Sequence, residues 1–202
     1  MRLKFKNTEI TLSYTLICVA ALCIIMGEFE KYLFCVVAVI LHETGHLIPM
    51  KFFGKMPDKI KIMLFEIYIS DRFREERTRK QNIIIILFGP FVNFICFILF
   101  FLIYLVCGGA FFNLAIANLS VGLFNIMPVI TLDGGQLLFL ILTQRLTEES
   151  AQRVVNIITF IFIFPLFVLG FVLLFYSKYN FSLLFICIYL ILSLLCKNNR
   201  YY

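Results

Sequence analysis

The chain has 202 residues, of which 62% are hydrophobic and 25 are Phe, and its mean hydropathy is +0.98. Soluble globular domains have roughly 45–50% apolar residues, so this composition excludes an ordinary soluble protein and indicates an integral membrane protein. The formal net charge of +6 predicts contact with anionic lipid, and we expect no nucleic-acid partner.

The apolar segments are long enough for several membrane spans, since a helix needs roughly 20 residues to cross a bilayer. The fourth segment is too long for one straight helix and contains Pro128 and the pair Gly134-Gly135, which favour a break. We therefore expect an all-α polytopic membrane protein with about six transmembrane helices and a broken fourth span. The predicted spans are residues 10–27, 32–53, 83–106, 111–142, 154–176 and 180–196.

The basic residues predict the orientation of these spans. With six spans, all Lys and Arg except Lys31 and Lys178 fall on the side that carries both termini. The positive-inside rule places that side in the cytoplasm. We expect a single transmembrane domain over residues 1–202, with core spans at about 30–150 and with no PDZ or CBS domain.

The segment 59–70, between the second and third spans, is rich in Ile and aromatic residues and partly alternates. This pattern predicts a short interfacial β segment, a strand or a hairpin. Such a strand could pair with an extended substrate by strand addition, or it could only cover a neighbouring site. The sequence leaves both interpretations open.

The only two histidines of the chain lie four residues apart, in His42-Glu43-Thr44-Gly45-His46, inside the second predicted span. Positions i and i+4 share one helix face, so both imidazoles can reach one metal ion. Glu43 points about 100° away around the helix, where it can take a proton from water. Ionisable residues at membrane depth are costly and are therefore candidates for function.

A catalytic zinc site usually has three protein ligands and an open position for water. Because the chain has no third histidine, the remaining ligand must be a carboxylate or a thiolate. Asp133 is the other carboxylate, besides Glu43, that falls within the predicted apolar spans. The glycines that follow it permit backbone conformations that help to turn a carboxylate towards a site on another span.

Together these motifs resemble the site-2 protease family of intramembrane zinc metalloproteases, peptidase family M50. That family has H-E-x-x-H on one span and N-x-x-P-x-x-x-x-D-G on another, and here the second motif begins at Asn125 and ends at Gly134. Gly89-Pro90-Phe91-Val92-Asn93 resembles the family's G-P-x-x-N element. The resemblance covers residues 30 to 150 and is greatest for the small, six-span, sporulation-type branch (stage IV sporulation protein FB-like). Many members have a proline where this chain has Thr131.

The resemblance implies a zinc metalloendopeptidase of a bacterial cell membrane, with one Zn²⁺ per chain and with the roles of particular residues carried over from the motifs. His42, His46 and Asp133 would be the zinc ligands, and Glu43 the general base and acid. Asn125 would hydrogen-bond the substrate backbone or support the site; the alternative for Asn125 is a hydrogen bond between helices in lipid. Supporting roles are also implied for Asn93, Pro128 and Gly134.

The resemblance also implies a membrane-associated protein substrate, such as a transcription-factor precursor or an anti-sigma factor, and a membrane regulatory protein as a partner. Two other classes of function are compatible with metal ligands in a membrane. A metal-ion transporter would need a polar path to the outside, yet the first, fifth and sixth predicted spans contain almost no polar residues. An inactive adaptor would not need an intact H-E-x-x-H motif and Asp133.

Overall fold

The structure, a computed structural model, describes residues 2–5, 8–12, 27, 29–54, 59–62, 67–70 and 76–176. Its strands are β1 (Arg2–Phe5), β2 (Thr8–Leu12), β3 (Lys59–Ile62) and β4 (Ile67–Ser70). Its helices are α1 (Phe29–Phe52), α2 (Arg79–Cys107), α3 (Phe111–Ile126), α4 (Asp133–Leu142) and α5 (Glu148–Tyr176). The chain divides into two compact units, residues 1–123 and 124–202.

The strands of the first unit form one sheet in the order β1-β2-β3-β4, with antiparallel outer pairs and a parallel β2–β3 pair. Parallel neighbours need a long crossover connection, and here that connection contains α1. Both β3 and β4 lie within residues 59–70, the segment for which a strand or hairpin was predicted.

The strands near the N-terminus differ from the sequence-based expectation. Residues 10–12, the start of the first predicted span, belong to β2 instead of a helix. The run Thr8-Glu9-Ile10-Thr11-Leu12 alternates partly between polar and apolar residues and contains β-branched side chains, both of which favour a strand. The rest of that span, residues 13–26, and the sixth span, 180–196, lie outside the described residues.

Three helices in the described part of the chain are long and apolar enough to cross a membrane: α1, α2 and residues 148–172 of α5. At 1.5 Å per residue α1 is about 36 Å long and α2 about 44 Å, against a hydrocarbon core of about 30 Å. Large apolar side chains are exposed along them, among them Val106 and Phe160, as expected of surfaces that face lipid. The protein is therefore an integral membrane protein.

The fourth predicted span corresponds to two shorter apolar helices, α3 and α4, separated by residues 127–132. That these two helices form one interrupted span, and that the protein has six spans, stay predictions.

Local signals in the sequence explain where α2 begins and ends. Thr78 and Gln81 form a reciprocal capping box at its start, and Gly108 follows its end with a φ of 66°. The capping box satisfies backbone N–H groups that a first turn leaves without partners, and glycine adopts the left-handed conformation without the steric cost of a Cβ.

Small residues allow α1 and α2 to pack closely in the first unit. A Cβ added to Gly45 on α1 would lie 2.7 Å from the carbonyl oxygen of Phe88 and 2.9 Å from the Cα of Gly89 on α2. Both atoms belong to the backbone and cannot move aside independently. Glycine at position 45 therefore sets how near the two helices come, as small residues do between membrane helices.

In the second unit, α4 packs against α5. Val129, from the connection between α3 and α4, and Ile163 of α5 form a buried cluster that Phe124, Met127 and Leu132 partly surround. The connection that precedes Asp133 is thus part of the apolar core of its unit.

Candidate metal centre

The H-E-x-x-H motif lies in the middle of α1, and both histidines are on the buried face of that helix. His42 is 4% exposed and His46 is 8% exposed, and they lie on the same face as Ala38, Gly45 and Pro49. Glu43 is half-buried, because one residue along a helix rotates the side chain by about 100°. The two imidazoles and the adjacent carboxyl group therefore point to different sides of α1.

Each imidazole donates its Nδ1 proton to an oxygen on α2. His46 Nδ1 lies 2.8 Å from the backbone oxygen of Ile85, which can only accept. His42 Nδ1 lies 2.7 Å from the Oδ1 atom of Asn93. These bonds select the tautomer in which Nδ1 carries the proton and Nε2 carries a lone pair, which is the usual arrangement behind a metal-bound histidine.

The two Nε2 atoms then face each other at a distance of 3.1 Å. Lone pairs this close repel unless a proton or a cation lies between them. Two nitrogen ligands at 2.0–2.1 Å from a tetrahedral zinc ion are about 3.3 Å apart, close to the observed separation. The donor set and its spacing therefore fit a zinc ion shared by the two histidines.

Gly89 on α2 leaves the space that the two imidazole rings occupy. A Cβ at this position would collide with Cε1 and Nε2 of His46 and would lie 2.9 Å from Cε1 of His42. The next residue, Pro90, has no N–H and cannot bond to the carbonyl of Ile86 one turn earlier. Pro90 thus removes one backbone hydrogen bond of α2 beside the carbonyl of Ile85, which accepts a hydrogen bond from Nδ1 of His46.

Asn93 is completely buried and connects the histidine pair to a third helix. Its Nδ2 donates to the backbone oxygen of Ala38 at 3.0 Å and to Oδ1 of Asn118 on α3 at 3.1 Å. Because Nδ2 has two acceptors, Oδ1 is the atom that faces His42. Asn93, for which a supporting role was expected, thus accepts a hydrogen bond directly from the imidazole of His42.

Asp133 is the first residue of α4, in the second unit, and its position in the fold depends on contacts inside that unit. A Cβ on Gly134 would collide with the carbonyl of Ile126, and one on Gly135 with the carbonyl of Val129. Both glycines thus allow the start of α4 to pack against the backbone of the preceding turn, which holds Asp133 at a defined place.

Thr159 on α5 stabilises the same turn through its side-chain hydroxyl. Its hydroxyl is fully buried, accepts a hydrogen bond from the N–H of Ile130 at 3.0 Å and lies 3.5 Å from the carbonyl oxygen of Pro128. A proline and an irregular turn leave backbone groups without helical partners, and this hydroxyl compensates for part of that loss.

The sequence-predicted site residues are divided between the two units. The first unit contains His42, Glu43, His46 and Asn93, and it brings the two histidines and Asn93 into direct contact. The second contains Asn125 near the end of α3, Pro128 in the connecting turn, and Asp133 and Gly134 at the start of α4.

Sequence reasoning missed three contributors to the two units: the carbonyl of Ile85, Asn118 and Thr159. A backbone carbonyl has no signature in the sequence. Asn118 and Thr159 are polar residues within apolar helices, and that isolation was a signal that could have identified them.

Two family models match overlapping parts of the chain. "Peptidase family M50" matches residues 109–169 and "Putative zincin peptidase" matches residues 34–133. The second match contains both histidines and Asp133.

Among curated proteins, the chain is 26% identical over 138 residues to "Stage IV sporulation protein FB" and 28% identical over 120 residues to "Putative peptide zinc metalloprotease protein YydH", both of Bacillus subtilis. The matches cover 67% and 55% of this chain, and the chain spans about half the length of each relative, 48% and 47%.

Among solved structures, the site-2 protease from Methanocaldococcus jannaschii superposes with a TM-score of 0.77 at 21% identity, covering 100% of this chain and 96% of that one. A likeness at this identity shows that the two chains share a fold.

Proposed function

This chain belongs to peptidase family M50, in its sporulation branch, and from that membership and the site geometry we propose that it is an intramembrane zinc metalloprotease. The observation that carries the proposal is the 3.1 Å separation of the two Nε2 atoms, on rings whose Nδ1 atoms each face an oxygen of α2. Imidazole and carboxylate groups are the ligand types of catalytic Zn²⁺ sites.

In this proposal the metal ligands are His42, His46 and Asp133, with one Zn²⁺ per chain. When bound by these residues, a zinc ion would polarise the scissile carbonyl group and would lower the pKa of its water to about 7. The turn that Thr159 and the glycines stabilise keeps the Asp133 carboxyl group at the start of α4.

Glu43 is the proposed general base and acid. It takes a proton from the attacking water and passes it to the amine that leaves when the peptide bond breaks. Glu43 is next to His42 but about 100° away around α1. Its carboxyl group is therefore near the histidine pair without sharing the helix face from which both histidines would bind the metal, and this position supports the role. Asn93, Asn125, Pro128 and Gly134 have supporting roles in the same proposal.

The substrate that we propose is a membrane-associated protein cleaved near the cytoplasmic face of a bacterial membrane, with both termini of the protease in the cytoplasm. The asymmetric distribution of Lys and Arg supports this orientation. A transcription-factor precursor or an anti-sigma factor fits a site on that side, and a membrane regulatory protein would control access.

We further propose that β4 binds the substrate as an added strand. In the described part of the chain β4 pairs with β3 on one side only, and an extended segment on its other edge would have an accessible backbone, which a transmembrane helix does not have. In an antiparallel pair successive N–H groups alternate between the two edges, so Tyr68→Pro and Ile69→Pro affect different edges. One of them should abolish cleavage without loss of zinc, and normal cleavage by both variants would refute this role.

The main test is to purify the protein in detergent and to measure zinc per chain and cleavage of a single-span substrate. Glu43→Gln should keep about one zinc and lose activity about 10²–10⁴-fold, the usual contribution of a general base. Asp133→Ala should weaken both zinc binding and cleavage. Glu30→Gln, an exposed acidic residue on the same helix, is the matched control and should change neither.

A chelator should abolish cleavage by the wild type, and added zinc should restore it. The protease proposal fails if Glu43→Gln cleaves at the wild-type rate, or if the wild type binds no metal with both histidines intact. Uptake of zinc into vesicles would then test the transporter.

A further inference from the structure

A chain of buried amide groups runs from the histidine pair to α3. His42 donates to Asn93, Asn93 donates to Asn118, and the Nδ2 of Asn118 donates to the backbone oxygen of Leu114 at 2.9 Å. Both asparagine side chains are completely buried, with 0% exposure. A buried amide contributes to stability only when its hydrogen bonds are made, so the direction of each bond in this chain matters.

The backbone oxygens determine the direction of the whole chain. The oxygens of Ala38 and Leu114 can only accept, so the groups that face them must be Nδ2 of Asn93 and Nδ2 of Asn118. Oδ1 of Asn118 then faces Asn93 and provides a second acceptor for its Nδ2. If the amide of Asn93 turned by 180°, its oxygen would face two acceptors, and its Nδ2 would face His42.

A turned Asn93 would reverse the chemistry of His42. Nδ2 would donate to Nδ1 of His42, which would then carry the lone pair, and the proton would move to Nε2. A protonated Nε2 cannot bind a metal ion. The orientation of one amide therefore decides whether this imidazole presents a lone pair to His46 and to the ion between them.

The surface of α3 that faces this amide consists of small residues on either side of Asn118. Ala115 is fully buried, and a Cβ on Gly122 would lie only 3.2 Å from the Cβ of Asn93. Residues 115, 118 and 122 share one face of the helix. Small side chains at 115 and 122 bring the backbone of α3 close enough for the short Asn118 side chain to reach Asn93.

We propose that Asn118 is a positioning residue that holds the amide of Asn93 in the orientation in which Oδ1 accepts from His42, and so presents the Nε2 lone pair of His42 for metal binding. The importance of this lone pair rests on the proposed zinc function, whereas the hydrogen-bond chain itself does not. Removal of Asn118 leaves only the carbonyl of Ala38 to oppose the turned amide.

The test uses the fact that the chain has two histidines. Protein labelled with ¹⁵N only at histidine gives ring nitrogen signals from His42 and His46 alone, and their shifts report which nitrogen carries the proton. The measurement is made on metal-free protein. We expect the wild type to show a protonated Nδ1 on both rings, with any further proton lying between the two Nε2 atoms. Asn118→Leu should add a population of His42 in which Nδ1 carries no proton.

His46 serves as an internal control, because its Nδ1 bonds to a backbone oxygen that the substitution leaves in place. Asn118→Asp should keep the wild-type spectrum, since a carboxyl oxygen can still accept from Nδ2 of Asn93. The control variant Asn113→Leu changes an exposed residue of the same helix and should change nothing. If leucine prevents folding, Asn118→Ala removes the same acceptor without adding volume.

Zinc affinity, measured by competition with a chelator, provides a second readout. We expect Asn118→Leu or Asn118→Ala to weaken it about tenfold, at the lower end of the effect of residues that orient metal ligands. An unchanged His42 spectrum in the folded variant would overturn the proposal even if the wild type binds zinc. A shifted spectrum in a protein that binds no zinc would support the positioning role while refuting the protease function.

Discussion

Replacement of Gly89 by alanine should strongly weaken zinc binding while leaving the helices intact. The new Cβ would collide with Cε1 and Nε2 of His46 and would lie 2.9 Å from Cε1 of His42. Ordinary contact between such atoms begins at 3.4 Å, so the ring of His46 would have to retreat by about 1 Å, whereas zinc–ligand distances hold within about 0.2 Å.

A displacement of this size is several times the tolerance of a metal site. We expect the zinc affinity of Gly89→Ala to fall at least about 100-fold, which corresponds to about 2.8 kcal/mol at 1.4 kcal/mol per tenfold change. The intrinsic effect on the helix has the opposite sign, because alanine is favoured over glycine in a helix interior by roughly 0.5–1 kcal/mol. A weaker α2 could therefore not explain the loss of metal.

The assay is competition for zinc with a fluorescent chelator in detergent, accompanied by circular dichroism and thermal unfolding of the metal-free protein. Leu87→Ala, an exposed position two residues earlier on α2, is the control and should retain wild-type affinity. Wild-type zinc binding by a correctly folded Gly89→Ala variant would refute the view that this glycine leaves the space that the imidazole rings need to hold the ion.

Two further substitutions test the contacts that stabilise each unit. Thr159→Val should lower the free energy of unfolding by about 1–3 kcal/mol, because the buried N–H of Ile130 loses its acceptor. Thr159→Ser should lower it by only about 0.8 kcal/mol, for the loss of one buried methyl group. Denaturation in mixed micelles measures both values, and a larger loss for the serine variant would contradict the assignment. Thr78→Ala should lower the free energy of unfolding by about 1 kcal/mol through loss of the capping box with Gln81, with unchanged zinc affinity as the check that the effect stays at the start of α2.

Much of the fold could be read from hydropathy and from local signals. The predicted spans 32–53, 83–106 and 154–176 correspond to α1, α2 and α5, because a bilayer requires long apolar helices whatever their neighbours are. The strands β1 and β2 were not predicted, because residues 10–12 of β2 directly precede a long apolar segment and were assigned to the same membrane span. Pairing with β3, about 50 residues away in the chain, is what makes this short run a strand.

The sequence by itself determined the class of protein, the membrane environment and the place of the histidine pair on one helix face, because these depend on composition and on spacing within one helix. Only the tertiary structure decided which nitrogen of each imidazole carries the proton, because the acceptors are the Asn93 amide and the Ile85 carbonyl of another helix. It also decided the contacts of Asn118 and Thr159, which lie outside every motif. Hydrogen bonds between helices depend on which backbones approach each other, and close packing of α1 and α2 at Gly45 and Gly89 brings the site together.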